Sequence, residues 1–505
     1  MSVAWVAALL VGGLFPARVE AQEEPGPQIL AHYMPWYQAK PYQSTWGWHW
    51  TMDHFNPDAV GVDGGRPIAS HYYPSIGPYD SRDPDVLEYH MLLMRVAGID
   101  GIIVDWYGTS NHFDYPMLHI ATQAAFETAR RFGLSFAICY EDQTVSRLIQ
   151  VGNLSPGQAI AHAQDQMSYV QEQWMSDPAY ARVDGAPLLL TFGPRYFTTS
   201  SQWEQIFSAL SEDPLFLTLD TRLSPAAEGA FAWPPMSRSI NGTLSFGEVG
   251  RYLDVFHAYG RTEWASFASA AFPGFNDIYE EAEVGPSYGF LDSRGGLTFS
   301  QTLDRAIQSG APVIQLVTWN DFGEGTNIEP TLEYEFQYLV AVQEAVRELE
   351  NLSFAAADLE LPGKLYALRK AHGSNPDTAA TLDAAAAAIA AGDPAEARVL
   401  LEAISTSVDD GPAGRANRAT IDIFPNPASE RASIAVRLAD AATVDLAVFD
   451  VLGRRVASIA SGPHAPGRHT YAWSATDLAS GLYLVRMQTG TEFLVRPLVL
   501  GAVIR

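Results

Sequence analysis

The sequence predicts an α/β protein: one (β/α)8 TIM barrel, followed by a short helical segment and a C-terminal all-β sandwich. From residue 28 to about 350, short apolar runs alternate with amphipathic segments. Several of the runs are almost continuously apolar, which is typical of parallel strands that helices cover on both faces. From Thr420 onward the pattern changes to short strands of alternating polarity, separated by glycine-containing turns. A chain of 505 residues is also long enough for more than one domain.

Eight candidate strands make up the barrel prediction. They lie at residues 29–37, 98–108, 134–142, 186–193, 215–220, 229–235, 267–277 and 312–321. Helical patterns fill the gaps between most of them, as in the segment 83–97, and this strand–helix alternation fits one barrel with insertions. The fifth and sixth strands are the least regular, because the segment between them has no clear helical pattern.

The same patterns divide the chain into five segments. Residues 1–21 predict a secretory signal peptide, since an apolar run precedes a small-residue cleavage pattern. No later segment has 18 unbroken apolar residues, so no transmembrane segment is predicted. The other segments are the barrel at 22–350, an Ala-rich helical appendage at 351–405, a linker at 406–418 and the β-sandwich at 419–505.

The composition excludes some classes of partner. Lys and Arg number 31 against 58 Asp and Glu, which gives a formal net charge of −27 at pH 7. Such an acidic surface repels phosphate backbones and anionic lipids, and we therefore expect no nucleic-acid partner. A neutral glycan is compatible with this charge. The single cysteine, Cys139, lies in an apolar strand, and we interpret it as a small buried hydrophobic residue rather than a nucleophile.

Ionisable side chains follow several of the predicted barrel strands. The C-terminal ends of the strands of a (β/α)8 barrel meet at one face, where active sites are built. In the segment Thr318 to Pro330, Asp321 and Glu324 stand three residues apart directly after an apolar strand. Paired carboxylates are what cleavage of a glycosidic bond needs, so Glu324 and Asp321 are the candidate catalytic residues. A lone carboxylate at a strand end is often only a helix N-cap, but five strands end in ionisable or aromatic residues here.

Aromatic rings accompany these acids. The apolar faces of sugars stack on rings, while sugar hydroxyls bond to acids and amides. The loop at 45–55 contributes three tryptophans, which could instead pack beneath a long loop. The candidate substrate-binding residues are Tyr33, Trp36, Trp48, His49, Asp105, Trp106, Tyr140, Glu141, Trp319 and Asn320.

Neither a metal nor a cofactor is predicted. The histidines have no spacing that matches a ligand set such as HExxH. The chain also lacks a GxSxG motif, a P-loop and a dinucleotide-binding fingerprint.

Five stretches of the barrel segment resemble glycoside hydrolases of families 99 and 71, which include endo-acting α-mannosidases and α-1,3-glucanases. They are AHYMPWY (31–37), the WGWHW loop, IASHYYPSIGPYDSRDP (68–84), EYHMLLMRVAGIDGIIVDWYG (88–108) and WNDFGEGTNIEP (319–330). The last stretch is the most specific, because the family 99 pattern at that point contains both catalytic carboxylates. The resemblance implies a barrel fold and hydrolysis of a glycan.

Carried over position by position, the resemblance implies that Glu324 is the general acid/base. Asp321 falls where family 99 has its other catalytic residue, a glutamate, and Asp in the context Trp-Asn-Asp is more similar to the α-1,3-glucanases of family 71. A carboxylate that is one methylene shorter can act as a base through a water molecule, which favours inversion, whereas family 99 enzymes retain configuration.

The C-terminal segment resembles the type A sorting domain of the type IX secretion system. The matching stretches are FPNPASE (424–430), VFDVLGRRV (448–456), PGRHTYAWS (466–474) and LASGLYLVRM (478–487). The resemblance implies the type IX secretion machinery as a partner and a secreted or cell-surface location. An accessory carbohydrate-binding sandwich is the alternative, but the segment lacks a flat row of exposed aromatic residues.

We therefore expect an exported, endo-acting α-glycosidase that hydrolyses α-linked mannan or glucan chains with a carboxylate pair. A non-catalytic surface protein that retains the barrel and only binds glycans is the alternative. A transglycosylase is a third possibility.

Overall fold

A computed structural model describes most of the chain in two compact units, which divide between Arg398 and Val399. The described residues are 26–61, 65–349, 352–409, 420–424, 428, 431–438, 441–450, 454–475, 478, 481–489 and 492–500. The predicted signal peptide and residues 410–418 of the predicted linker lie outside them. Residues 406–409, which the sequence assigned to the linker, belong instead to a helix that ends at Asp409. The exact domain boundaries stay a prediction.

Eight parallel strands close into a barrel, which confirms the predicted fold class. The strands are β1 (Gln28–Tyr33), β2 (Gly101–Trp106), β3 (Ser135–Tyr140), β4 (Ala186–Thr191), β5 (Leu215–Leu219), β6 (Gly229–Phe231), β7 (Ala268–Ala271) and β8 (Val313–Leu316). Each strand pairs with the next one in chain order, and β8 pairs with β1, which closes the sheet. Short two-residue strands lie at Arg182–Val183, Phe275–Asn276 and Phe290–Leu291.

Strand register decides which strand-end side chains reach the barrel interior. Asp105 of β2 pairs with Cys139 of β3, and Trp106 pairs with Tyr140. Successive side chains of a strand point to opposite faces, so the two pairs lie on opposite sides of the sheet. The Trp106 ring stacks on Tyr169 at a centroid distance of 6.2 Å, which puts the Trp106 and Tyr140 pair on the outer, helix-covered face.

Among the described residues, nine helices accompany the barrel strands. They are α1 (Trp48–Thr51), α2 (Pro84–Ala97), α3 (Tyr115–Arg131), α4 (Gln143–Gln150), α5 (Ala159–Val170), α6 (Ser200–Phe207), α7 (Phe246–Thr262), α8 (Leu297–Ile307) and α9 (Gln337–Leu349). Helix α5 continues into a π-helical turn at Gln171–Met175. Helix α2 begins at a cap, since the Asp83 side chain accepts a hydrogen bond from the backbone N–H of Asp85, and it is almost entirely buried.

The helical appendage contains α10 (Glu360–His372), α11 (Pro376–Ala390) and α12 (Pro394–Asp409). Helix α10 is fixed to the barrel helix α2 by ion pairs. The Arg369 guanidinium donates to both Glu88 carboxylate oxygens, at 2.7 and 2.9 Å, and Lys370 lies 2.6 Å from Asp83. Because Glu88 and Asp83 are buried, these pairs are shielded from solvent and orient α10 on the barrel.

The C-terminal unit is a sandwich of two antiparallel sheets. One sheet contains β9 (Thr420–Phe424), β10 (Arg431–Leu438) and β13 (Gly467–Ser474). The other contains β11 (Ala442–Asp450), β12 (Arg455–His464), β14 (Gly481–Thr489) and β15 (Glu492–Leu500). The alternating pattern predicts five strands, at 432–438, 443–453, 468–474, 481–488 and 491–500, so β9 and β12 were not predicted. Strand β12 has no fully buried residue, so it lacks the apolar alternation from which a strand is predicted.

Within the described residues, no helix combines the length and the apolar character that crossing a membrane would require.

The barrel depends on a close backbone approach at Gly229, and this leads to a stability prediction. A Cβ atom at Gly229 would lie 1.7 Å from the carbonyl oxygen of Ser266, which is backbone and cannot turn aside. We expect Gly229→Ala to lower the free energy of unfolding by about 1–3 kcal/mol. The measurement is the thermal midpoint of barrel unfolding. Gly157→Ala is the matched control, because a Cβ there meets nothing within 4 Å, and equal midpoints for both variants would contradict the prediction.

Candidate active site

The loop after β8 folds back on itself and places the two candidate catalytic carboxylates. The Thr318 N–H donates to the carbonyl oxygen of Thr326 at 2.8 Å, and the Asp321 N–H donates to the Thr318 hydroxyl at 2.7 Å. The Glu324 N–H then donates to Oδ1 of Asp321 at 3.0 Å. The Asp321 carboxylate therefore organises the turn that presents Glu324.

A neighbouring segment clamps this turn from the other side. The Asn276 N–H donates to the carbonyl oxygen of Glu324 at 2.9 Å, and the Ile278 N–H donates to that of Gly323 at 3.0 Å. Gly325 has a φ of +64°, and a Cβ there would lie 2.7 Å from the Asn276 carbonyl oxygen. Glycine is thus required at that position both by conformation and by space.

The two carboxylates have different electrostatic environments. Burial raises the pKa of Asp321 to about 6, although hydrogen bonds from the backbone N–H groups of Glu324 and Gly323 oppose that rise. Burial, followed by the charges of Asp321 and Asp277, raises the pKa of Glu324 well above its usual range. At neutral pH this arrangement favours a protonated Glu324 beside an ionised Asp321.

Two further acids stand across the barrel mouth. Burial raises the pKa of Asp105 strongly, and the charges of Glu141, Asp321 and Glu324 add to the effect. Burial likewise raises the pKa of Glu141 to about 8. These mutual influences show that the four carboxylates share one site, at the ends of β2, β3 and β8.

An open cavity of about 400 Å³ adjoins these acids. Its wall includes Trp48 and His49, which the sequence predicted, together with Tyr107 and Gln143. Gln143 donates to the Glu141 carboxylate at 2.9 Å, and Tyr107 contacts the Asp105 carboxylate, so the cavity and the acids are continuous. Such a cavity has the size of a ligand pocket.

Rings and imidazoles form one side of this region. Trp36 and His49 stack in parallel, with their centroids 4.2 Å apart and their planes inclined by 5°. Burial lowers the pKa of His49 to about 3, so its ring is neutral at physiological pH. Trp48 meets His49 edge-on and exposes 40% of its surface, which leaves its face available for a sugar.

Three of the predicted substrate-binding residues lie behind the site instead of in it. The buried Tyr33 hydroxyl is 3.0 Å from Nδ1 of His90 on α2, and the Trp319 ring packs 5.5 Å from the same imidazole. The Asn320 side chain accepts from the Met34 N–H at 2.8 Å and donates to the Met34 carbonyl and the Tyr79 hydroxyl, both at 3.0 Å. With its amide saturated by protein groups, Asn320 supports the loop and does not face the cavity.

Trp106 and Tyr140 also lie away from the cavity. The Trp106 indole donates to His119 at 3.2 Å and packs edge-on against Trp174, in the layer of helices outside the barrel. The Tyr140 ring lies 5.9 Å from that of Trp106. The physical reason is strand alternation, because a residue next to an inward-pointing Asp105 or Glu141 must point outward.

Sequence reasoning missed several residues of the site. Burial, followed by the charges of Glu324 and Asp321, raises the pKa of Tyr279, so its hydroxyl lies near both carboxylates. The charge of Asp277 adds to the rise that burial and Asp321 cause in the pKa of Glu324. The charge of Arg195 lowers the pKa of Glu141. The backbone N–H of Arg195 is fixed by the buried Asp142 carboxylate, at 2.8 Å. Tyr107 and Asp277 stand at the ends of predicted strands. Their position at a strand end was the only sequence signal that could have placed them in the site.

One group of side chains in the barrel interior could coordinate a cation. His32, Asp105 and Cys139 each offer a ligand atom within 4.8 Å of the others, and no other such group occurs among the described residues. Gln315 contacts His32 Nδ1 at 3.2 Å, and burial raises the pKa of the Cys139 thiol, as expected for a small hydrophobic residue. The prediction that catalysis needs no metal stays a prediction.

Comparisons with known proteins relate the two units to two families. Glycosyl hydrolase family 99 matches residues 27–218, and the secretion system C-terminal sorting domain matches residues 422–500. The family 99 match ends before β8, so the loop that carries Asp321 and Glu324 lies outside the matched range.

Curated relatives extend over a longer part of the barrel. A glycoprotein endo-alpha-1,2-mannosidase-like protein of Danio rerio is 23% identical over 332 residues, which cover 60% of this chain and 70% of the relative. The glycoprotein endo-alpha-1,2-mannosidase of Xenopus laevis is 21% identical over 345 residues, which cover 62% of this chain and 73% of the relative.

A solved structure shares the fold. The GH99 endo-alpha-mannosidase from Bacteroides thetaiotaomicron, in complex with bis-tris-propane, aligns with a TM-score of 0.50 at 20% identity. The alignment covers 65% of this chain and 98% of that one.

The raised pKa of Glu141 predicts a pH-dependent stability. Between the usual pKa of 4.5 and the folded value of about 8, the folded chain binds more protons than the unfolded chain, so stability falls as pH rises through this range. Glu141→Gln removes that loss while keeping the shape of the protonated acid. We expect its thermal midpoint to match the parent's near pH 4.5 and to exceed it at pH 8. Glu348→Gln, at an exposed position on α9, is the control, and a gain for Glu141→Gln that is the same at both pH values would contradict the assignment.

Proposed function

Since the chain is a glycoside hydrolase of the family 99 type with a C-terminal secretion-system sorting domain, we propose that it cleaves internal bonds of α-linked mannan or glucan chains. Glu324 and Asp321 are the proposed catalytic pair. The sorting domain directs the protein to the cell surface or out of the cell, where such polymers are encountered.

The observation that carries the proposal is the pairing of the buried Asp321 carboxylate with the half-buried Glu324 carboxyl, with unlike pKa values, on one turn. Hydrolysis of a glycosidic bond needs one protonated acid and one ionised carboxylate at the same time. Desolvation and the Asp321 charge keep Glu324 protonated, while backbone N–H groups favour the ionised form of Asp321. In such a pair, the group with the higher pKa acts as the acid and the group with the lower pKa acts as the base.

Glu324 acts as the general acid. Its protonated carboxyl donates to the glycosidic oxygen as the bond to the anomeric carbon breaks, so the leaving sugar departs as a neutral alcohol. The tight turn matters here because the clamp on Gly323 and the Glu324 carbonyl holds the side chain at a fixed position.

Asp321 acts as the base, towards either a water molecule or a sugar hydroxyl. Attack by a water that Asp321 deprotonates inverts the configuration at the anomeric carbon. Participation of a sugar hydroxyl instead gives two successive displacements and retention. The anomer formed first, observed by proton NMR before mutarotation, distinguishes these two courses.

The surrounding groups bind the sugar. Trp48 and the stacked Trp36–His49 pair offer ring faces, and Asp105 and Glu141 accept hydrogen bonds from hydroxyls or donate when protonated. The arrangement is acidic, which agrees with a neutral polymer and disfavours anionic glycans.

Loss of either carboxylate should abolish hydrolysis. We expect Glu324→Gln and Asp321→Asn each to lower kcat/KM on yeast α-mannan or α-1,3-glucan by at least about 100-fold, because each removes a proton-transfer step. Product release measured as new reducing ends is the assay, and Glu348→Gln is the matched control with unchanged activity.

A parent chain that binds these polymers but releases no product would instead identify a non-catalytic glycan-binding protein. Products longer than the substrate at high acceptor concentration would identify a transglycosylase.

The pair also predicts the pH dependence of catalysis. Activity needs an ionised Asp321, so kcat/KM should fall as pH drops below about 6, and it needs a protonated Glu324, so kcat/KM should fall again at higher pH. Both limbs belong to the coupled pair. Asp277→Asn removes a charge that raises the pKa of Glu324, so we expect the high-pH limb to move to lower pH with the low-pH limb unchanged. A high-pH limb that stays in place would contradict the role of Glu324 as acid.

A further inference from the structure

A second groove lies on the barrel unit, apart from the carboxylates. It is an open cavity of about 480 Å³ between the segment after β1, the segment before α2, and helix α10 of the appendage. We call it the Tyr42 groove. Its wall includes Lys40, Tyr42, Pro78, Asp80, Tyr366 and Lys370, and it shares no residue with the wall of the cavity beside the carboxylates.

The charges in this groove are neutralised by their own partners. Lys370 pairs with Asp83 and Asp85 at 2.6 and 2.8 Å, and Asp80 pairs with Arg82 at 2.7 Å. Lys40 pairs with Asp58 at 2.8 Å. These pairs comprise three cations and four carboxylates, so the groove offers ion-paired hydrogen-bonding groups and no excess positive charge that would attract an anion.

Two tyrosine rings stand in the groove. Tyr42 exposes 44% of its surface, and burial together with the nearby Asp83 charge raises its pKa to about 12, so its hydroxyl is neutral. The Tyr366 ring packs 5.6 Å from that of Tyr89, with the Lys370 ammonium 5.4 Å from its centroid. Helix α10, fixed on α2 by ion pairs, thus holds one ring, while the loop after β1 presents the other.

We propose that the Tyr42 groove is a second glycan-binding site, which holds a neutral α-linked chain outside the cavity beside the carboxylates. Aromatic faces and ion-paired polar groups are the chemistry that sugars bind, and a chain with a net charge of −27 would reject an anionic polymer. The helical appendage then has a role, because α10 supplies Tyr366 and Lys370. The polymer is the one named in the proposed function, but binding in the groove does not depend on hydrolysis.

The test measures binding in the full chain with Glu324→Gln, so that no polymer is consumed. Native gel electrophoresis through yeast α-mannan, and co-sedimentation with insoluble α-1,3-glucan, give the apparent Kd. We expect Tyr42→Ala combined with Tyr366→Ala to weaken binding to one of these polymers about tenfold. Tyr42→Phe combined with Tyr366→Phe keeps both rings and should remain within about twofold of the parent. Tyr259→Ala, at a 54% exposed position on α7, is the matched control.

A second arm separates the groove from the catalytic site. In the chain with an intact Glu324, we expect the double alanine variant to have a lower kcat/KM than the parent on the polymer. Its kcat/KM on a short α-linked oligosaccharide that cannot reach both sites should equal that of the parent.

If the parent hydrolyses nothing, the proposed function fails while the binding arm still tests the groove. Unchanged binding in the double alanine variant, equal loss in the phenylalanine variant, or no polymer binding by the Glu324→Gln chain would each overturn the proposal. Should the double variant unfold, Tyr42→Ala alone, on an exposed loop residue, is expected to weaken binding about threefold.

Discussion

The site depends on the hydrogen bonds that fold the loop after β8 back over its own strand. Asp321 bonds within this loop through its N–H, its carbonyl and its carboxylate, so it cannot shift without opening the turn that carries Glu324. The same bonds oppose the rise in its pKa that burial would cause. The contacts that fold the loop therefore also set the two pKa values apart. Burial raises the pKa of both acids, but backbone N–H groups lower that of Asp321, whereas the charges of neighbouring carboxylates raise that of Glu324 further.

A buried polar network behind this loop makes the arrangement rigid. The Tyr79 hydroxyl donates to Glu329 at 2.7 Å and accepts from Asn320 at 3.0 Å, while the Tyr37 hydroxyl donates to the Asn320 carbonyl at 2.8 Å. Buried hydrogen bonds of this kind favour one conformation of the loop, because breaking them leaves buried polar groups without partners. The aromatic and polar residues around Asp321 thus divide into those that fix the loop and those that face the cavity.

The barrel, the helical appendage and the sandwich followed from periodicity, because continuous apolar runs and alternating runs differ along the chain itself. The carboxylates at strand ends were also visible in this way. What periodicity could not provide was the side to which each strand-end residue points. Trp106 and Glu141 have the same sequence signature, a polar or aromatic residue at the end of a strand. Trp106 nevertheless packs among the helices, whereas Glu141 shares the site with Asp105. Tyr279 and Arg195 come from loops, whose paths no sequence pattern defines.

The sequence by itself determined the architecture, the acidic character and the spacing of Asp321 and Glu324, since these depend on composition and on local order along the chain. Only the tertiary structure decided which residues meet. Closure of the sheet between β3 and β4 and between β8 and β1 brings Asp105, Glu141 and Glu324 to one mouth although they are far apart in sequence. Burial at that mouth then sets their pKa values, because desolvation depends on neighbours from every strand and not on the residues next to each acid in the chain.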